Sequence, residues 1–228
     1  MTPYVVCCPG REPVCDIGVR VWDRDREGVL VNYTRTLGCA LANPLESGPV
    51  TIMEDDVEVP PGFGNYVDHF YPWIERMGAP VQWWWNGRMW DPLTTNLSYD
   101  DEGDHFQLFV HRKASKFLST QAVTYPRALA VAIYHRLSAL IPHAQVDDLG
   151  RKHSADYLIG RALHEWKRDF LIHWPPVVDH VGRNSMVAPG IPFEDGFRNN
   201  AYYSRNNAEL LMTRRPAPIV LYPGEYDE

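Results

Sequence analysis

Apolar positions in this chain fall into short runs, with longer periodic stretches between them. Tyr4 to Cys8 is an apolar run broken by Pro9-Gly10, which predicts a buried strand followed by a turn. Val19 to Trp22 predicts a second strand, closed by the charged string Asp23-Arg24-Asp25-Arg26-Glu27-Gly28. Between Asn32 and Leu41 the spacing predicts a helix with Leu37, Cys39, Ala40 and Leu41 toward its apolar side, and Val50 to Met53 is another strand-like run. Strand, helix and strand in alternation predict an α/β fold with a mostly parallel central sheet and helical crossovers.

Further along, Phe63 to Met77 reads as an aromatic-rich helix, and Val81 to Trp90 contains four tryptophans. Leu93 to Asp104 is polar and turn-like, while Phe106 to Val110 and Phe117 to Tyr125 read as strands. Pro126 sits where a proline opens a helix, which runs to about Pro142. Ser154 is placed to cap a helix over Ala155 to Lys167 with Tyr157, Leu158, Ala162, Leu163 and Trp166 inward. From Val187 the chain is rich in Pro, Gly, Asn and Tyr and has no clear period. No repeat or low-complexity linker divides the chain, so a single Rossmann-like domain over 1–228 is expected. Its texture changes at about 60 and again at 187, which sets off stretches over 1–60 and 61–186 and an irregular tail over 187–228.

Composition narrows the chemistry. The chain has 228 residues, 45% of them hydrophobic, which is enough for a self-sufficient core. No window has the roughly 18–20 apolar residues of a membrane helix, and the opening residues lack a basic, apolar leader. These features predict a soluble cytoplasmic protein with no membrane partner. Cys7, Cys8, Cys15 and Cys39 show no metal-binding spacing and read as reduced thiols. With 22 Lys plus Arg against 29 Asp plus Glu, the net charge of −7 disfavours a broad grip on a polyanion. Arginine outnumbers lysine 18 to 4, which suits bidentate contact with small phosphorylated ligands.

The sharpest local feature is Ile52-Met53-Glu54-Asp55-Asp56-Val57, in which three adjacent acids close an apolar strand. Along an extended chain Glu54 and Asp56 share one side and Asp55 faces the other. Carboxylates this close repel one another unless water or a cation neutralises them. The alternatives are therefore a solvated acidic turn and a divalent-ion site at the carboxyl end of a sheet strand. A second constellation lies far downstream, in Pro175-Pro176-Val177-Val178-Asp179-His180-Val181-Gly182-Arg183-Asn184-Ser185. An imidazole can complete a carboxylate site and leans toward manganese over magnesium. Arg183 and Ser185 offer donors to phosphate oxygens, and Gly182 permits close backbone approach.

The order of a strand ending in Glu54-Asp55-Asp56, a strand feeding Pro126-Arg127, a helix led by Asp156 and a late Pro…His-x-Gly…Ser resembles GT-A-type glycosyltransferases. The chain is most similar to the group that holds collagen-type and lipooligosaccharide glycosyltransferases and their small viral (phage) relatives. That resemblance implies a DxD-like role for 54–56, with Asp56 on a divalent metal, Mn2+ before Mg2+, and Glu54 and Asp55 beside the donor. It implies His180 as the late metal ligand, with Gly182, Arg183 and Ser185 beside the diphosphate. Pro9 and Arg11 then fall at the nucleotide base, Asp23 at the base or ribose, and Arg35 near the diphosphate. The resemblance also implies a nucleotide-binding half over 1–60, an acceptor half over 61–186, a place in the host cytoplasm if the source is viral, and a nucleotide-sugar donor linked to UDP or GDP.

In such a reaction the leaving diphosphate gains charge that a bound ion and nearby arginines stabilise. An inverting enzyme needs a base for the acceptor hydroxyl, and Asp156 at a helix start is the candidate; a retaining enzyme needs none. As a plain helix N-terminal acid, Asp156 would instead serve the dipole. Trp84 and Trp85, within the Trp83-Trp84-Trp85 run, are candidates for an acceptor platform, although three consecutive residues cannot all face a core. The acceptor classes are a protein, a glycan or a hydroxymethylated DNA base. Two other classes fit the same acids: a nucleotidyltransferase or metal phosphohydrolase, and a non-catalytic carbohydrate-binding protein.

Overall fold

The computed structural model describes residues 2–10, 12–25, 27–84, 108–117, 120–143, 154–174, 176–181, 205–213 and 218–221. Its first third alternates as expected: β1 (Tyr4–Cys7), β2 (Val19–Trp22), α1 (Val29–Ala42), β3 (Val50–Glu54) and β4 (Val57–Glu58). Then come α2 (Phe63–Met77), β5 (Val81–Gln82), β6 (Leu108–Arg112), β7 (Ala122–Tyr125), α3 (Arg127–Leu140) and α4 (Ala155–Glu165). The described elements close with β8 (Phe170–Trp174), β9 (Asp179–His180), α5 (Arg205–Met212) and β10 (Ile219–Leu221). The fold is α/β.

The main sheet runs β10-β6-β8-β5-β7-β3-β1-β2, and β4 pairs with β9 in a separate ribbon. The β1–β2, β1–β3, β5–β8 and β10–β6 pairs are parallel, whereas β3–β7, β5–β7 and β6–β8 are antiparallel. The sheet is therefore mixed: β7, between β3 and β5, and the edge pair β6 and β10 run against the other strands. Strand β1 lies between β2 and β3, so the chain moves first to one side of β1 and then to the other. Open α/β sheets bind ligands beyond the strand carboxyl ends at such a reversal.

Side-chain alternation sorts the strands onto two cores. Tyr4 and Val6 of β1 pack in one cluster and Val5 and Cys7 in the other; β3 divides likewise, with Ile52 on one face and Met53 on the opposite one. The first face is covered by α1, α3 and α4, through Tyr33 and Leu37, Ile133 and Leu137, and Ile159 and Leu163. The second is covered by α2, through Phe63, Tyr66, Val67, Phe70 and Ile74, together with Leu211 and Met212 of α5. Burial on both faces explains why the central strands read as unbroken apolar runs. Each fully buried Leu, Ile or Phe contributes roughly 1.5–3 kcal/mol.

Several local expectations change. Tyr157 and Trp166 are exposed, and α4 instead buries Ala155, Leu158, Ile159, Gly160, Ala162 and Leu163. Ser154 holds the N-cap position of α4 without a side-chain capping bond. Cys39 is exposed on α1, whose inner side carries the polar Asn32, Thr34 and Thr36 as well as Leu37. The hydroxyls of Thr34 and Thr36 donate to the carbonyls of Leu30 and Asn32, which lets them lie buried. The segment 187–228, expected to be irregular, contributes α5 and β10, and β10 extends the sheet alongside β6. A three-residue strand between prolines is too short to show a period. Among the described residues, no helix is long and apolar enough to cross a membrane.

Candidate metal centre

The acids sit where the sheet ends. Strand β3 stops at Glu54, Asp55 and Asp56 form a turn, and β4 leads away. The β4–β9 ribbon then pairs Val57 with His180 and Glu58 with Asp179, and the Val181 N–H donates to the Asp56 carbonyl at 3.0 Å. This pairing delivers a histidine from late in the chain to the acidic turn. His180 Nε2 lies 3.1 Å from Asp56 Oδ2. One ligand atom each from Glu54, Asp56 and His180 falls within 4.8 Å of the others.

Three neighbours hold this cluster in shape. The Thr120 hydroxyl donates to Glu54 Oε1 at 2.7 Å, while the Glu54 N–H donates to the Gln121 carbonyl at 2.8 Å. The Trp84 ring meets the His180 ring edge to face, with centroids 5.4 Å apart at 68°. Asp55, in the turn, is not among the clustered ligand atoms. Its Oδ2 accepts the Cys8 N–H at 2.7 Å and so ties the end of β1 to the end of β3.

The electrostatics show a site rich in negative charge. Burial, then the Asp56 charge, push the Glu54 carboxyl up to about 7; the Thr120 hydrogen bond and His180 oppose that rise. Burial works against a charged His180, but the Asp56 hydrogen bond and charge, with Glu54 and Asp179, outweigh it and hold the imidazole above its usual range. Asp179 is also raised, by burial and by Glu58 opposite it. Carboxylates crowded this closely raise one another and the imidazole beside them, an arrangement that added positive charge would relieve.

The donor set also fits an ion. Two carboxylates and one imidazole are a donor set that could hold a divalent metal ion. His180 Nε2 and Asp56 Oδ2 are in direct hydrogen-bond contact at 3.1 Å, so an ion held by both would take the place of the proton between them.

Other expected site residues are placed as follows. Glu54, expected beside the donor, joins Asp56 and His180 as a potential ligand. Pro9 lies in the turn after β1, next to Cys8. Asp23 is buried, and its two carboxylate oxygens accept the Glu27 and Gly28 N–H groups ahead of α1 at 2.9 Å each. It thereby anchors the start of that helix. Arg35 forms a surface ion pair with Glu27. Asp156 stands in the first turn of α4, and its charge is the smallest of the influences on the Glu54 carboxyl. Trp84 is only 6% exposed and packs on His180, so its observed role is to support the imidazole. Arg11, Trp85, Gly182, Arg183 and Ser185 lie outside the described residues.

Thr120 is not among the residues the sequence singles out. It falls within the 117–125 stretch that reads as a strand, whereas β7 starts only at Ala122, and the antiparallel β3–β7 register is what brings it beside Glu54. No protein-family model matches the chain, and no curated protein matches it.

Proposed function

We propose that this chain is a metal-dependent GT-A-like glycosyltransferase that moves a sugar from a nucleotide diphosphate to an acceptor hydroxyl. The observation that carries the reading is the convergence of Glu54, Asp56 and His180 at the carboxyl ends of β1 and β3, beside the reversal in strand order. The resemblance of the acidic motif and the late histidine to that enzyme group supplies the reaction class.

Asp56 and His180, with Glu54, would hold the divalent ion. A bound ion there offsets the charge that develops on a departing diphosphate. Asp55 is spent on the Cys8 N–H, so it shapes the floor between β1 and β3 where a donor would lie. Asp156, at the start of α4, would be the base that accepts the proton of an acceptor hydroxyl if the reaction inverts. A hydroxymethylated DNA base is disfavoured among acceptors by the net charge of −7.

The test is a panel of UDP- and GDP-sugars incubated with the protein and Mn2+, scored for released nucleotide and for sugar-linked product. Manganese-dependent turnover that disappears in Asp56→Ala, with its circular dichroism unchanged, is the expected result. Turnover indifferent to chelation, or unaltered in that variant, rejects the assignment. Nucleotide consumed without any freed or transferred sugar would identify a phosphohydrolase or nucleotidyltransferase instead.

A further inference from the structure

We propose that Thr120 is a positioning residue that holds the Glu54 carboxylate in the metal centre, an inference that rests on the metal reading of this cluster. Glu54 is the arm most in need of such help. It is the longest of the two acidic side chains, and it projects from the last residue of β3, where the strand gives way to a turn. Asp56 is fixed by His180 and by the ribbon that carries it, and His180 by β9 and the Trp84 ring. On the Glu54 carboxylate, the short contact is the Thr120 hydroxyl at 2.7 Å.

The local structure makes that hydroxyl a fixed donor. Thr120 is 4% exposed, so water competes poorly for its proton. Its β-branched side chain has restricted χ1 freedom. Gln121, the next residue, accepts the Glu54 N–H through its carbonyl at 2.8 Å, which ties the same two stretches of chain together at the backbone. Main chain and side chain of Glu54 are therefore both registered on residues 120–121. A hydroxyl that bonds one carboxylate oxygen limits swinging of the group and leaves the remaining lone pairs for an ion. Partners of this kind, one step removed from the metal, typically change its affinity by about 10- to 100-fold when removed.

The experiment is Mn2+ binding, measured by calorimetry on the full chain at constant pH. Thr120→Val keeps shape and removes the donor, and Thr120→Ser restores the hydroxyl without the methyl group. The expected result is a Kd raised about tenfold or more in the valine variant and returned close to the wild-type value in the serine variant. In a Glu54→Gln background, Thr120→Val should have little further effect, because the group it holds no longer carries the ligating charge. If the valine variant is unfolded at the assay temperature, Thr120→Ala makes the same comparison. Binding unchanged when the hydroxyl is lost, or weakened equally with and without Glu54, overturns the positioning role while leaving the metal centre intact. A wild-type chain that binds no Mn2+, or a Glu54→Gln variant that binds as well as wild type, overturns the reading beneath it.

Discussion

Metal affinity should climb with pH, and the structure sets how steeply. An ion takes the carboxylates ionised and the imidazole neutral, so every proton held by the empty cluster must leave on binding. The Glu54 carboxyl, pushed up to about 7, carries its proton in most molecules at about pH 6 and in few at about pH 8. Competition by that proton weakens apparent affinity about 11-fold at about pH 6 but only about 1.1-fold at about pH 8, a tenfold difference from this residue alone. His180, also held above its usual range, adds to the fall in the same direction. The linked stability has a definite sign. Because the folded pKa of Glu54 exceeds the value of 4.5 for a free side chain, its contribution is fully present below 4.5 and lost as pH rises through about 7. Rescue of the melting temperature by Mn2+ should accordingly be larger at the alkaline end of that window. Calorimetry with Mn2+ across this range, in two buffers of different ionisation enthalpy, measures both the affinity and the protons released. Glu54→Gln should flatten the profile by its tenfold share. An affinity that is level over the range, or one that strengthens as pH falls, would refute the reasoning.

Other consequences are equally open to measurement. A Cβ at Gly160 would lie 2.8 Å from the Phe117 carbonyl oxygen, so Gly160→Ala must push α4 outward. Overpacking of this kind costs about 1–3 kcal/mol, read as a melting temperature lowered by roughly 2–12 °C; an unchanged value would show that α4 shifts freely. The buried hydroxyls of Tyr33 and Tyr125 meet at 2.8 Å, and Tyr125→Phe leaves its partner unsatisfied. Denaturant unfolding should register a loss of about 1–3 kcal/mol. Asp156→Asn should abolish transfer while Mn2+ affinity stays near wild type, and transfer that survives would mark a retaining reaction or a different base.

Much of the first sixty residues was legible from the sequence because the information there is local. Buried strands such as Tyr4–Cys7 and Val50–Glu54 announce themselves as apolar runs, and the helix over Phe63–Met77 shows its own period. Asp55 parts from Glu54 and Asp56 as the sequence leads one to expect, but through a turn rather than by alternation along a strand, because β3 ends at Glu54. Direction within the sheet was not legible. Ala122–Tyr125 looks the same whether it runs with β3 or against it, and only packing between β3 and β5 settles that choice. Tyr157 and Trp166 show the same gap, since a helical period names a stripe but not its width, and both fell on the solvent edge of α4. The metal centre itself depends on two pairings between distant segments. Val57 against His180 brings the imidazole to the acids, and β3 against β7 brings Thr120 to Glu54. Backbone hydrogen bonds carry no record in the sequence of which remote partner they will find, so the ligand types could be read from the chain while their assembly was decided by the fold.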